Sequence, residues 1–356
     1  MTDAEILFDH KGSLGLVTLN RPKALNALTL DMIRQLDPQL RRWADDPEVK
    51  AVVVQGAGDK AFCAGGDVMK LYLAGKDDKE GRSHNPTIRE FFREEYVLNR
   101  LIKRYPKPYI ALMDGVTMGG GVGISEPGSH RIGTERTLYA MPETAIGIFP
   151  DVGGTYFLPR YPGQLGPFLG LTGERLKAAD CLYAGIIDAY VPSAKLEALV
   201  EDLALSDGSA DAVQAAIDRH AEFPGEAPLA AHRDAIDHCF GHDRMEDILA
   251  ALAADGSEWA AGIRAVLVKM SPVSLKVTLA AIRRGAKLDF EDCMVQEYRL
   301  SQSMLGDDNF YEGIRSVLVD KDRNPRWKPD TLEAVSDAEV ERHFKPPAHG
   351  DLRFTN

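Results

Sequence analysis

The chain has 356 residues, 44% of them hydrophobic and 27% charged, with a formal net charge of −12. That length admits one large domain or a core domain with a smaller second one, and the composition is that of an ordinary globular chain. The acidic balance argues against a nucleic-acid or anionic-membrane surface, and apolar runs such as 51–54 (AVVV) are too short to cross a bilayer.

The first twenty residues lack the patterns of a signal or transit peptide, so a cytoplasmic location is expected. Residues 5–9 (EILFD) and 14–19 (LGLVTL) predict two strands joined by a turn at Lys11-Gly12-Ser13. A helix follows, with Thr29 as N-cap and Met32, Leu36 and Leu40 on one face. Residues 51–55 and 108–113 predict further strands, and 131–140 another pair. Strands alternating with helices favour an α/β architecture. From about residue 200 the character changes to alanine, acids and helical spacing, notably over 201–219, 245–268 and 273–285. The expected division is therefore a core at 1–200 and a helical region at 201–356. Connectors are expected at 206–212 and 221–231, and a polar, extended tail from about Lys328.

Cys63, Cys181, Cys239 and Cys293 form no CxxC and read as buried thiols. His238 and His242 have helical metal-ligand spacing, but Gly241 interrupts the helix and no third ligand is evident. No metal site is expected.

Three glycine-rich turns stand out: 62–67 (FCAGGD), 118–123 (MGGGVG) and 151–154 (DVGG). Such turns bring backbone close to a ligand and point N–H groups at it, and two that converge make an oxyanion hole. Tight strand–helix packing explains glycines 119–121 equally well. There is no GxxxxGK[ST], no dinucleotide GxGxxG and no GxSxG. Glu143 and Asp151 lie eight residues apart in MPETAIGIFPDVGG, otherwise mostly apolar residues, proline and glycine. Acids in such a setting are costly to bury unless paired or used. Their plain readings are a helix-start acid after Pro142 and a turn residue after Pro150. Glu95 would then be solvated helix surface.

The motifs AFCAGGD (61–67), DGVTMGGGVGIS (114–125) and MPETAIGIFPDVGGTYFLPR (141–160) resemble the signature of the crotonase, or enoyl-CoA hydratase/isomerase, superfamily. RPKALNALT (21–29) resembles its acyl-CoA-binding loop, and LTGERLKAADCLYAGIIDAYVP (171–192) the helix after its core. FFREEY (91–96), GGGVG and PETAIGIFPDVGG together resemble the branch that hydrolyses 3-hydroxyisobutyryl-CoA in valine breakdown, as does FYEGIRSVLVDKDRNPRWKP (310–329). The resemblance implies a crotonase-like spiral of ββα units with a helical C-terminal region. It implies N–H donors at Gly66 and Gly120 for the thioester carbonyl, with Lys23, Ala24 and Ala64 near the nucleotide. It points Glu143, Asp151 and Glu95 toward the acyl group.

Coenzyme A would enter as part of the substrate, with no separate cofactor, and no nucleic-acid or membrane partner is implied. Superfamily members often trimerise, so a homo-oligomer is one expectation; the helical region covering its own core is the other. In the hydratases a catalytic glutamate follows the GGG turn, where this chain has Gly123. Hydrolysis therefore ranks above hydration or isomerisation, and a non-catalytic acyl-CoA-binding subunit would have no need of the acids.

Overall fold

β1 (Ile6–Lys11) and β2 (Leu14–Leu19) form an antiparallel hairpin at the predicted place. β3 (Ala51–Gly56), β5 (Tyr109–Met113), β7 (His130–Gly133) and β10 (Ala189–Tyr190) extend it into a six-stranded sheet ordered β1-β2-β3-β5-β7-β10. Its pairs beyond the hairpin are parallel. Every residue of β5 is buried, which is why that strand reads as a continuous apolar run rather than an alternation. β4 (Ala61–Cys63), β6 (Val116–Met118), β8 (Leu138–Ala140) and β9 (Leu176–Lys177) make a four-stranded sheet in that order. From β3 to β8 successive strands enter the two sheets alternately, which is the expected spiral. The pair predicted over 131–140 accordingly separates, β7 to one sheet and β8 to the other.

The computed structural model describes residues 4–79 and 86–354. Contacts divide the chain into two units, neither continuous in sequence. Met1–Gly66, Val97–Ala140 and Arg175–Ala230 form the first, which holds both sheets. Its helix Leu30–Asp45 starts as predicted: the Thr29 hydroxyl accepts from the Met32 N–H at 3.2 Å. Val53, Ile110, Leu112 and Ile132 of the larger sheet share a core with Leu199, Leu203, Val213 and Ile217. The last four lie on helices Leu196–Ala204 and Ala210–His220, so the helix that spans the composition change at residue 200 and the one after it belong to this unit.

Asp67–Tyr96, Met141–Glu174 and Ala231–Asn356 form the second unit, which is helical. Helix Pro272–Gly285 is buried along most of its length and packs against Gly154–Phe157 and Leu165–Thr172. A Cβ at Gly285 would lie 1.8 Å from the Thr155 carbonyl oxygen, so only glycine lets the two backbones meet there.

The connector expected at 206–212 does separate two helices, Leu196–Ala204 and Ala210–His220, but ends sooner, because the Ser209 hydroxyl accepts from the Ala212 N–H at 3.3 Å and starts the second helix. Two expectations need correction. The window 245–268 is two helices: Gly256, at φ +72°, ends Met245–Asp255, and Ser257 caps Glu258–Leu267. The polar tail contains helix Asp337–His343, begun by Ser336 and held by buried Val340, Phe344 and Leu352. Among the described residues no single helix is long and apolar enough to cross a membrane. The bent pair Glu258–Leu267 and Pro272–Gly285 passes that test only jointly, across a 108° bend.

Candidate active site

The sequence-predicted residues divide between the units. In the first, the turns 62–67 and 118–123 converge. A Cβ at Gly65, which sits at φ +113°, would lie 3.4 Å from the Met118 carbonyl oxygen and 3.8 Å from the Gly120 nitrogen. Gly120 is buried and opens the short helix Gly120–Gly123, so its N–H has no intrahelical acceptor. Gly121 serves packing: a Cβ there would meet the Cys63 carbonyl oxygen at 2.1 Å. Packing thus accounts for Gly121, and Gly120 stands at the helix start. Gly66 pairs with Leu28 in an isolated parallel bridge, and the Ala64 N–H donates to the Leu25 carbonyl at 3.0 Å. These bonds tie the first turn to the loop carrying exposed Lys23 and Ala24. Asn26, at φ +56°, pins that loop through its amide, donating to the carbonyls of Ala57 and Ala61 and accepting from the Arg21 N–H. Gly123 accepts from the Asn99 side chain at 2.8 Å.

The second unit gathers the acids. Glu95 lies on helix Thr87–Lys103 and is 2% exposed, so it is not solvated surface. Glu143 opens the 3-10 turn Glu143–Ile146 after Pro142. Asp151 follows Pro150, and both acids are 6% exposed. The Tyr96 hydroxyl donates to Asp151 Oδ2 at 2.7 Å. Glu297, on helix Phe290–Met304, is fully buried and accepts three hydrogen bonds. The Gly153 N–H reaches its Oε2 at 2.8 Å; the Thr155 N–H and hydroxyl reach its Oε1 at 2.8 and 2.7 Å. The turn so held contains Val152 at φ +52°, an outlier for a β-branched residue that costs on the order of 1–3 kcal/mol. Among the described residues, Glu95 Oε1 and Glu143 Oε2 are buried without a hydrogen-bond partner. Orphaned buried carboxyl oxygens are what a ligand-binding or catalytic pocket leaves for its substrate.

Burial governs the protonation of this cluster. It raises Glu95 and Glu143 well above the ordinary carboxylate range, and neighbouring Asp151 and Glu297 raise both further. Burial pushes Glu297 up to about 8, against the opposing bonds from Gly153 and Thr155. Asp151 rises to about 6, restrained by the Tyr96 hydroxyl and its own backbone. The carboxyls thus ionise one after another, Asp151 at lower pH than Glu297, and unlike environments on neighbouring acids are how acid and base roles are separated.

Sequence reasoning missed Tyr96 and Glu297. Glu297 carried a readable signal: with Cys293, Leu300 and Met304 it completes an i, i+4, i+7, i+11 stripe that is otherwise apolar. Glu126, three residues past Gly123, is buried in the first unit, where its charge acts on the Cys181 thiol.

With this geometry in place, comparison with known proteins is direct. A model of the enoyl-CoA hydratase/isomerase family matches residues 14–344, and the chain belongs to that family. Curated relatives named 3-hydroxyisobutyryl-CoA hydrolase, mitochondrial, are 48% identical in Danio rerio and 47% in Homo sapiens. Each alignment covers 99% of this chain and 92% of the relative. A crystal structure described as a carnitinyl-CoA dehydratase from Mycobacterium thermoresistibile superposes with a TM-score of 0.90 at 43% identity, covering 97% of this chain and 98% of that one. One described as an enoyl-CoA hydratase from Rhodobacter sphaeroides gives 0.89 at 38%, covering 99% and 100%. The architecture is the crotonase fold.

The folded chain binds more protons than the unfolded chain wherever a carboxyl pKa is raised, so stability falls as pH climbs from the ordinary value to the raised one. For Glu297 that span runs from the ordinary 4.5 to about 8. His343 acts oppositely, held neutral by burial down to about 4, but its contribution is complete above its ordinary 6.5. Thermal midpoints of the unliganded protein should therefore fall between pH 7 and 8. Glu143→Gln, which removes one raised acid and the repulsion it exerts, should make that fall smaller; an equal or steeper fall would contradict the cluster's electrostatics.

Proposed function

We propose that the chain is an acyl-CoA thioester hydrolase, converting 3-hydroxyisobutyryl-CoA and water to 3-hydroxyisobutyrate and coenzyme A, a step of valine catabolism. The observation that carries the reading is the acid cluster, in which Glu143 has an unpartnered oxygen and is raised by burial and by Asp151, itself lifted to about 6. The names of the relatives at 47–48% identity support it.

In this reading the N–H groups of Gly66 and Gly120 donate to the thioester oxygen as it becomes an oxyanion, each donor worth roughly 10²–10³ in turnover. The loop with Lys23, Ala24 and Ala64 takes the nucleotide end of the substrate. At neutral pH the first carboxylate of the cluster forms on Asp151. A proton passed from Glu143 to Asp151 leaves the total charge unchanged and makes Glu143 the base. Glu143 takes a proton from the attacking water, the carbon–sulfur bond breaks, and the Asp151 proton goes to the departing thiolate. With the thiolate protonated the cluster is back in its starting state, Asp151 ionised and Glu143 protonated, and the acid product releases its own proton to solvent. Coenzyme A is part of the substrate, and the chemistry uses no group beyond it and water. Glu95, through its unpartnered Oε1, and Asp151 receive the 3-hydroxyl.

A second reading has a specific basis: the two solved structures at 43% and 38% identity are described as a dehydratase and a hydratase. Gly123 stands against it, since the turn supplies no carboxyl at the position where the hydratases carry one. The cytoplasmic location expected from the sequence differs from the mitochondrial one in the relatives' names, and fractionation with immunodetection decides it.

Free-thiol release from 3-hydroxyisobutyryl-CoA, run beside absorbance loss with crotonyl-CoA, tests the two readings. Thiol release should dominate, and the reverse would make the protein a lyase. Glu143→Gln should lower kcat by at least ~10²-fold while acyl-CoA binding stays within a few-fold; retention of more than roughly a tenth of turnover would leave Glu143 a helix-start acid.

A hydrogen bond from the 3-hydroxyl to a buried carboxylate is worth about 1.5–3 kcal/mol. Asp151→Asn should therefore reduce the preference for 3-hydroxyisobutyryl-CoA over isobutyryl-CoA about tenfold, along with a larger loss in turnover. An unchanged ratio of the two kcat/KM values would remove Asp151 from substrate selection.

A further inference from the structure

Glu297 is far from the sequence motifs, yet it makes the densest set of hydrogen bonds in the acid cluster. Both of its oxygens are engaged, by Gly153 on one side and twice by Thr155 on the other. Those donors sit at the far end of the turn that begins at Asp151, and that turn is strained. Val152 sits at φ +52° and Gly153 at φ +96°, and the Gly154 N–H closes back onto the Asp151 carbonyl at 2.7 Å. A β-branched residue in this region persists only when its surroundings over-determine it. Here the three donors fixed on one carboxylate, together with the close approach of Gly285 to the Thr155 carbonyl, supply that over-determination. From the other side Tyr96 holds the Asp151 carboxyl directly. Asp151 is thus held at its side chain by Tyr96, while Glu297 holds the turn that follows it through Gly153 and Thr155.

We propose that Glu297 is a positioning residue: by cradling the N–H groups of Gly153 and Thr155 it fixes the strained turn that aims the Asp151 carboxyl at the substrate. It touches no reacting atom and acts through Asp151. A carboxyl group suits this role because two backbone N–H groups and a hydroxyl converge on it, which asks for an oxygen at both ends. Glutamine offers one acceptor and turns an NH₂ donor toward an N–H. The charged and titratable groups facing Glu297 are Asp151, Glu95, Tyr96 and Glu143 across from it and Cys293 on its own helix. The proposal rests on the thioester-hydrolase reading for its kinetic readout, and a substrate-free readout keeps the two apart.

The experiment compares wild type, Glu297→Gln, Thr155→Val, Asp151→Asn and the Glu297→Gln/Asp151→Asn double variant. Hydrogen exchange followed by mass spectrometry on the segment 150–157, with no substrate present, reads the cradle. Thiol release from 3-hydroxyisobutyryl-CoA reads positioning. Glu297→Gln should raise exchange in the segment at least about tenfold and lower kcat by roughly 10–100-fold, with KM within about threefold. In the Asp151→Asn background the same change should cost less than about threefold more, because groups acting through one another are not additive. Thr155→Val removes only the hydroxyl arm and should give a smaller loss of the same pattern, so it carries the test where Glu297→Gln does not fold. Unchanged exchange in the segment overturns the cradle whatever the substrate is. Raised exchange with unchanged kcat, or full additivity with Asp151→Asn, overturns positioning. Wild type that releases no thiol, with exchange responding as expected, would overturn the hydrolase reading and leave the cradle standing.

Discussion

Four carboxyl groups buried together form the constraint to which the helical unit is fitted. Glu95, Glu143, Asp151 and Glu297 are each at most 6% exposed, and the charge effects that raise Glu95, Glu143 and Glu297 come from the other acids. Such a group cannot carry several charges at neutral pH, since each new one is disfavoured by burial and by those already present. What holds it is a set of neutral donors: the Tyr96 hydroxyl, two backbone N–H groups and the Thr155 hydroxyl. They favour charge at Asp151 and Glu297 and leave one oxygen of Glu95 and one of Glu143 without a partner. Protonation, and not a fixed ion pair, sets the state of the site.

The architecture delivers these groups from separated stretches of chain. Helix Thr87–Lys103 brings Glu95 and Tyr96, the 141–155 segment brings Glu143 and Asp151, and helix Phe290–Met304 brings Glu297. The strain at Val152 is the local mark of that assembly. In the sheet-bearing unit a different device operates. Two glycine turns approach so closely that Gly121 tolerates no side chain, and this approach brings the backbone of Gly65 beside the Gly120 nitrogen.

Much of this was legible because it is local. The β1–β2 hairpin, the Thr29 cap and the buried strands announce themselves in alternation, capping chemistry and apolar runs. Glu143 and Asp151 stood out because almost everything around them is apolar, proline or glycine. The burial of Glu95 was not legible, since FFREEY does not show which of two adjacent glutamates faces inward; Glu94 is only half-buried and Glu95 is enclosed. The role of Glu297 was hidden because it depends on bonds to residues more than 140 positions earlier, which no local pattern encodes. The break at Gly256 and the helix at Asp337–His343 were missed for the opposite reason: single capping residues outweighed the average character of their windows.

The central claim is that one negative charge, first available on Asp151, is the working charge of the cluster. The pH dependence of kcat/KM for 3-hydroxyisobutyryl-CoA measures it in the free enzyme. The account predicts a profile that rises with an apparent pKa of about 6, the value to which burial lifts Asp151. A profile flat from pH 5 to 8, or one that begins to rise only above pH 8, would contradict it.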